Sequence, residues 1–107
     1  MSYYVAYSAE ARQDLRDIYQ YIAYELLEPE IASGQVDRIM NEISSLDEMP
    51  LRHRRYDEEP WYSIGLRVMP VDNYLVFYLP DETNDTVSIV RIMYSGRDIN
   101  KQLYETT

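Results

Sequence analysis

Tyr74-Leu75-Val76-Phe77-Tyr78 and Val87-Ser88-Ile89-Val90-Arg91-Ile92-Met93-Tyr94 are separated by the polar stretch Pro80 to Asp85, and Ser95-Gly96-Arg97-Asp98 follows the second run directly. Both runs are short, rich in β-branched and aromatic residues and bounded by turn formers, which predicts two strands of a buried hairpin, Tyr74 to Leu79 and Thr86 to Tyr94. Both phases of the second run are apolar apart from Ser88 and Arg91, so this strand is expected inside the sheet and not at its edge. It brings Tyr94 and Arg97 to a loop at the sheet's end, where binding and catalytic side chains tend to sit.

Upstream of the hairpin, Trp61 to Met69 reads as another strand, containing Gly65 and Arg67 and ended by Pro70, with Val71 to Asn73 as a turn. Leu51 to Pro60 has no regular period and is expected as a surface loop, with a basic cluster (Arg52, His53, Arg54, Arg55) followed by an acidic one (Asp57, Glu58, Glu59). At the N-terminal end, Tyr3 to Tyr7 suits a first strand. Ser8 is placed to cap a helix, with Glu10 near its positive end. Ala11, Leu15, Ile18, Ile22 and Leu26 recur at helical spacing and form one apolar stripe. Glu28 and Pro29 stop that helix and start another, because proline suits a first helical turn and not an interior. The second helix shows Ala32, Val36, Ile39, Ile43 and Leu46 on one face, closed by Pro50.

The resulting order, strand, helix, helix and three strands, predicts a single α+β domain over residues 1–107. Its sheet would be an antiparallel meander with the first strand added at an edge and the helical hairpin packed on one face. On this reading the other sheet face is left open for docking.

Composition narrows the function classes. The chain has 107 residues, of which 46% are hydrophobic, with twelve tyrosines but one phenylalanine and one tryptophan. Tyrosine combines an apolar ring with a polar tip, so many of these are expected at core boundaries or interfaces. The absence of cysteine excludes disulfides and thiolate metal sites. A single histidine, His53, leaves little for a metal, and neither a metal nor a cofactor is expected. No run approaches the ~20 apolar residues of a membrane span. Met1-Ser2-Tyr3-Tyr4 lacks the basic and apolar regions of a signal peptide, so a cytoplasmic location is expected. The net charge of −9 is concentrated in the first half. Such a chain is not drawn generally to nucleic acid, whose non-specific affinity comes from lysine and arginine displacing counterions.

Ser8 with Ala11 to Leu15 opening a helix, Pro50 with Arg52, Trp61, Gly65 to Arg67, Tyr74 to Tyr78 and Arg91 to Asp98 stand in an order that resembles the RelE/ParE superfamily of type II toxin-antitoxin toxins. The resemblance runs from about Tyr3 to Leu103. It implies a small toxin that inhibits bacterial growth, acts in plasmid stabilization and is neutralised by a cognate antitoxin. It also implies one of two targets, since RelE-like members cleave ribosome-bound messenger RNA and ParE-like members act on DNA gyrase.

RNA cleavage needs a base for the 2′-hydroxyl, a proton donor and cations around the phosphorane, and arginine suits the last task. Arg97 falls on a RelE-like arginine, but Ser63 and Gly65 stand where that pattern has lysines, and Tyr74 where it has an arginine. The run Gly65-Leu66-Arg67 and the stretch Arg91 to Tyr94 with Arg97 are closer to ParE-like members, as is the acidic balance. Gyrase is therefore the expected target, with ribosome-dependent RNA cleavage as the alternative and a decayed toxin that only binds antitoxin as a third reading.

The implied target-binding residues are Arg54, Arg67, Tyr74, Arg91 and Arg97. Tyr94 and Arg97 would be catalytic if the chain is a ribonuclease. Trp61, Tyr74 and Tyr78 are the expected antitoxin contacts, because aromatic anchors dominate interfaces. Each has a structural alternative. Arg67 and Arg91 could serve ion pairs within the sheet, Tyr94 could be a boundary ring, and Arg97 with Asp98 could close a local salt bridge. Arg52 to Arg55 could balance Asp57 to Glu59, and His53 is either a general base or a solvated loop residue.

Overall fold

The computed structural model describes residues 2–106. Its elements are strand β1 (Tyr4–Tyr7), helix α1 (Ala9–Gln20) continued by one π-helical turn (Tyr21–Glu25), helix α2 (Pro29–Ser44), short helix α3 (Trp61–Ile64), strands β2 (Arg67–Val71), β3 (Tyr74–Asp81) and β4 (Thr86–Tyr94), and helix α4 (Ile99–Tyr104). Two 3₁₀ turns, Ser45–Asp47 and Pro50–Arg52, lead out of α2. Among the described residues no helix is long and apolar enough to cross a membrane.

The sheet has the order β1-β4-β3-β2. β2, β3 and β4 form the expected antiparallel meander, and β1 joins β4 in parallel. Parallel strands need a long crossover, and the helical hairpin together with the meander provides it here. β4 is interior, as its two apolar phases require.

β1 covers only half of β4, since their pairing ends at Tyr7 and Ile89. The start of α1 takes over the rest of that edge. The Ser8 backbone N–H donates to Ile89 O at 2.9 Å, Ser8 Oγ donates to Val90 O at 2.8 Å, and the Ile92 N–H donates to an Asp14 carboxylate oxygen at 2.8 Å. Ser8 also accepts from the Ala11 N–H as the helix cap.

Register explains which side chains meet. Phe77 pairs with Arg91 and Tyr78 with Ile89, leaving Val90 as the extra residue of a bulge. A bulge shifts the phase of its strand by one. Val87, Ile89 and Ile92 therefore share one core despite their spacing, with Ala11, Ile39, Ile43, Leu46, Val76 and Tyr78. Met93 turns to a second core with Trp61, Leu66, Val68, Phe77 and Leu103.

That second core corrects the expectation of an open sheet face. The face away from α1 and α2 is covered by α3 and α4, and Trp61 stacks edge-on against Tyr104 at 4.8 Å. Trp61 to Ile64 is helical and not a strand. Its helix ends at Gly65, whose φ of 88° is left-handed, and β2 begins only at Arg67. β2 also runs through Pro70 to Val71; the proline is tolerated because the strand lies at the sheet edge. The stretch from Leu51 to Pro60 is tied down: Tyr56 N–H donates to Leu66 O, Val68 N–H donates to Arg54 O, and Arg55 bridges to Arg67.

Candidate functional site

A cleft of about 750 Å³ lies between the far end of the helical hairpin and the Tyr74/Tyr94 end of the β3–β4 hairpin. Ile18, Tyr21, Ile22, Leu26 and Ile31 form its helical wall, and Tyr74, Tyr94 and Arg97 its sheet wall, with Asp14, Asp17 and Arg91 also lining it. A smaller hollow of about 230 Å³ lies beside β1 and β4, with Glu10 as its one charged lining residue.

The sheet wall is built by pairing. Tyr74 and Tyr94 stand opposite each other at the ends of β3 and β4, with ring centroids 5.9 Å apart in an edge-on arrangement. Ser95 N–H donates to Asn73 O and Arg97 N–H donates to Tyr94 O, which turns the chain directly beyond them. Gly96 leaves room for the Tyr94 ring in this pose, because a Cβ there would lie 2.7 Å from Cε2 of Tyr94. Asp98 then caps α4 by accepting from the Lys101 N–H, so Arg97 and Asp98 do not form the local ion pair considered from sequence. Arg97 is exposed and lines the cleft.

Ionisation limits what this cleft can do. Burial, reinforced by Tyr94 and Tyr21 and opposed by Arg97, pushes the Tyr74 hydroxyl above its ordinary 10.0, so it is neutral at physiological pH. Arg91 is engaged: its Nε donates to Asp14 at 2.8 Å, its Nη2 donates to the other Asp14 oxygen at 3.0 Å, and its Nη1 donates to Thr106 Oγ1 at 2.9 Å. The side chains of this ion pair are only 14% and 11% exposed. Hydrogen bonding to Asp14, opposed by burial and reinforced by the nearby charge of the same carboxylate, raises the Arg91 pKa above its ordinary value. Arg91 is thus a strut between β4, α1 and the C-terminal segment, and not a free cation. Arg97 is the one arginine lining the cleft without an ion-pair partner among the described residues. No group of three or more His, Cys, Asp or Glu side chains that could hold a metal is present among the described residues.

Of the residues singled out in the sequence, the fold gathers Tyr74, Tyr94, Arg91 and Arg97 in one cleft and places the others elsewhere. Tyr78 is fully buried, and its hydroxyl donates to Pro50 O at 2.7 Å. Trp61 is 7% exposed within the second core. Neither presents a surface to an antitoxin, because the aromatic character that suggested an anchor was used for packing. Arg67 donates to the Leu51 and His53 carbonyls at the other end of β2, and Arg54 is exposed on the same side. His53 is half-buried edge-on to the Tyr78 ring at 6.4 Å, with Nε2 out of solvent and without a partner among the described residues, so it is neither a solvated loop residue nor part of the cleft. The sequence reading passed over Tyr21, Leu26 and Ile31. Only Leu26 carried a signal, as the last member of the α1 stripe; Tyr21 at the π-helical turn and Ile31 in the first turn of α2 lie outside both stripes, and the three are 56%, 51% and 56% exposed for Tyr21, Leu26 and Ile31.

Comparison with known proteins places this architecture. The fold is similar to a chain of the chromosomal ParDE toxin-antitoxin system from P. aeruginosa, at a TM-score of 0.71 and 20% identity, covering 87% of this chain and 96% of that one. It is also similar to a chain of the RelBE2 toxin-antitoxin complex from Mycobacterium tuberculosis, at a TM-score of 0.61 and 24% identity over 88% of this chain and 99% of that one. A mutant of the E. coli toxin RelE in the free state aligns at a TM-score of 0.64 and 11% identity over 99% and 94% of the two chains. No curated protein matches by sequence. The model of the family described as the ParE toxin of the type II toxin-antitoxin system parDE matches residues 5–99. This chain therefore belongs to the ParE toxin family of type II toxin-antitoxin systems.

Proposed function

We propose that this toxin inhibits growth by protein contact with DNA gyrase and is neutralised by a cognate antitoxin that covers the cleft. The observation that carries the reading is the charge state of the cleft. Of its two arginines, Arg91 is neutralised by Asp14, and Asp17 adds a further acid. The single histidine lies outside, and Tyr74 is held neutral. Cleavage of RNA through a charged phosphorane asks for a base and several cations together. An aromatic and aliphatic cleft rimmed by one arginine suits the hot-spot chemistry of a protein interface instead. On this reading Tyr94 and Arg97 contact the target, and Tyr74 with Leu26 and Ile31 anchors the antitoxin. An antitoxin partner is further supported by the relatives, two of which are from systems described as toxin-antitoxin.

The test is to induce the chain in bacteria without antitoxin, following thymidine and methionine incorporation in one culture over the first minutes, and to assay supercoiling by purified gyrase. Early loss of thymidine incorporation, inhibited supercoiling, and relief of both in Y94A/R97A are expected. Early loss of methionine incorporation with intact supercoiling would replace this reading with ribosome-dependent cleavage, for which the adjacency of Tyr94 and Arg97 is the favouring feature. No effect on either would leave a protein that only binds antitoxin.

A further inference from the structure

Arg52, Arg54, Arg55 and Arg67 hold four of the ten cationic side chains of a chain with net charge −9. None of them meets a carboxylate among the described residues, where the ion pairs are Arg38–Asp72 and Arg91–Asp14. Their guanidinium groups donate mostly to backbone carbonyls instead. Arg52 Nη1 donates to Glu48 O at 2.8 Å and Ser45 O at 3.2 Å, and its Nη2 to Ser45 Oγ at 2.6 Å. Arg54 donates to Arg55 O at 3.3 Å, Arg55 to Tyr62 O at 3.2 Å, and Arg67 to His53 O at 2.6 Å. Bonds of this kind fix the side chain and leave its charge uncompensated.

The acids that follow in sequence, Asp57, Glu58 and Glu59, form no ion pair with these arginines among the described residues. Glu59 accepts from Ser63 Oγ and the Ser63 N–H, and Glu58 accepts from Asn100. Arg55 and Arg67 are moreover direct partners in an antiparallel bridge. Like charges opposite each other destabilise a sheet, so nothing in the fold itself calls for this pairing.

Exposed apolar groups lie among the arginines. Met49 is 74%, Leu51 42%, Tyr62 46% and Ile64 60% exposed, and Tyr62 lies under the Arg55 guanidinium at 5.5 Å. None of these eight residues lines the cleft. Arg67 and Val71 mark the two ends of β2, which sets this face about 13 Å along the strand from the Tyr74 end.

We propose that this face is a second docking surface, which binds a protein segment in which acidic and apolar side chains are interspersed. Charge complementarity selects the acids. The apolar groups between the cations select a protein over a phosphate backbone, which has nothing to offer them, and the acidic remainder of the chain repels a long polyanion. The proposal is independent of the gyrase reading and of the cleft.

The test measures anisotropy of two fluorescent probes on the whole chain at low and moderate salt: a random Glu/Tyr copolymer and a duplex DNA of similar charge. The copolymer is expected to bind more tightly than the duplex and more weakly as salt rises. R54E/R55E is expected to weaken copolymer binding about tenfold or more, equivalent to about 1.4 kcal/mol. R12E/R16E changes the net charge equally on α1 and is expected to leave binding within about twofold, a difference worth only about 0.4 kcal/mol. Circular-dichroism melting confirms that the variants fold, and R54Q and R55Q replace the double variant if it does not. Tighter binding of the duplex, copolymer binding indifferent to R54E/R55E, or equal loss in R12E/R16E would each overturn the proposal.

Discussion

Tyr94 is 50% exposed, and its ring pose depends on a residue that contributes no side chain. Any Cβ at position 96 would collide with the ring at Cε2 and Cδ2, at 2.7 and 3.2 Å. The ring has solvent into which it can rotate, so G96A is expected to change the unfolding free energy by less than about 1 kcal/mol. Toxicity in induced cells should nevertheless fall as far as it does in Y94A. Full toxicity in G96A would show that the Tyr94 pose against Tyr74 does not matter. Asp14 and Arg91 form the opposite case, a pair that holds the fold. Removing one partner of a mostly buried pair leaves a desolvated charge, so D14A is expected to cost about 3 kcal/mol, and D14A/R91M less than D14A alone. Urea denaturation of the four chains of this cycle measures the coupling, and additive losses would contradict it. His53 supplies a pH dependence. Burial, reinforced by Arg52 and opposed by Glu42, lowers its pKa below the ordinary 6.5. The folded chain then binds fewer protons than the unfolded one, so the stability due to this group is complete above about pH 6.5 and is lost as pH falls through the lowered folded value. Thermal midpoints between pH 7 and 5 should decline in the natural chain and flatten in H53Q; parallel curves would remove His53 as the cause.

At the scale of elements, the junction between the hairpin helices is strained by design of its sequence. Leu27 adopts a φ of 59° and is 76% exposed. A left-handed conformation costs an L-residue about 1–2 kcal/mol, and this is only partly offset in L27G by about 0.5–1 kcal/mol of extra chain entropy lost on folding. L27G is therefore expected to stabilise the fold by about 0.5 kcal/mol while weakening antitoxin affinity, measured by denaturation and by titration of the cognate antitoxin. A stabilised variant with unchanged affinity would place the antitoxin away from this end of the hairpin. The elements legible in the sequence were those whose period was long enough to be unambiguous, the stripes of α1 and α2 and the apolar runs of β3 and β4, together with the short aromatic run of β1. Trp61 to Ile64 was misread because aromatic and β-branched residues favour strands locally, whereas Gly65 at a left-handed helix end decides the matter through the backbone. The second core was illegible for the same reason as α4, a helix of six residues anchored by Ile99 and Leu103, which carries too little period to stand out. Within the site, Tyr74, Tyr94 and Arg97 were legible because a strand end fixes them. The burial of Trp61 and Tyr78 and the ion pair of Arg91 were not, because each depends on an element distant in sequence.

At the scale of the whole molecule, the sheet lies between the α1–α2 hairpin on one side and α3 with α4 on the other, and this layered body carries its charge unevenly. Nineteen acids face ten bases, while the described residues contain two salt bridges. Most carboxylates are therefore exposed to one another across solvent, where salt screens them over about 10 Å at 0.1 M. Self-repulsion of this kind destabilises the compact state. Raising sodium chloride from low to moderate concentration is expected to stabilise the chain by about 0.5–1 kcal/mol, which for a domain of this size raises the melting temperature by about 4 °C. The arginine face around Arg54 and Arg55 works against that repulsion from within the same body. R54E/R55E makes the net charge of −9 more negative by four units, and it should both lower the midpoint at low salt and steepen its rise with salt. R12E/R16E makes the same change on α1, where Glu10, Asp14 and Asp17 already crowd, and should steepen the rise at least as much. A midpoint that falls with salt would mean that attraction between the arginine face and the surrounding acids outweighs the repulsion. That face would then be compensated within the fold and unavailable to a partner.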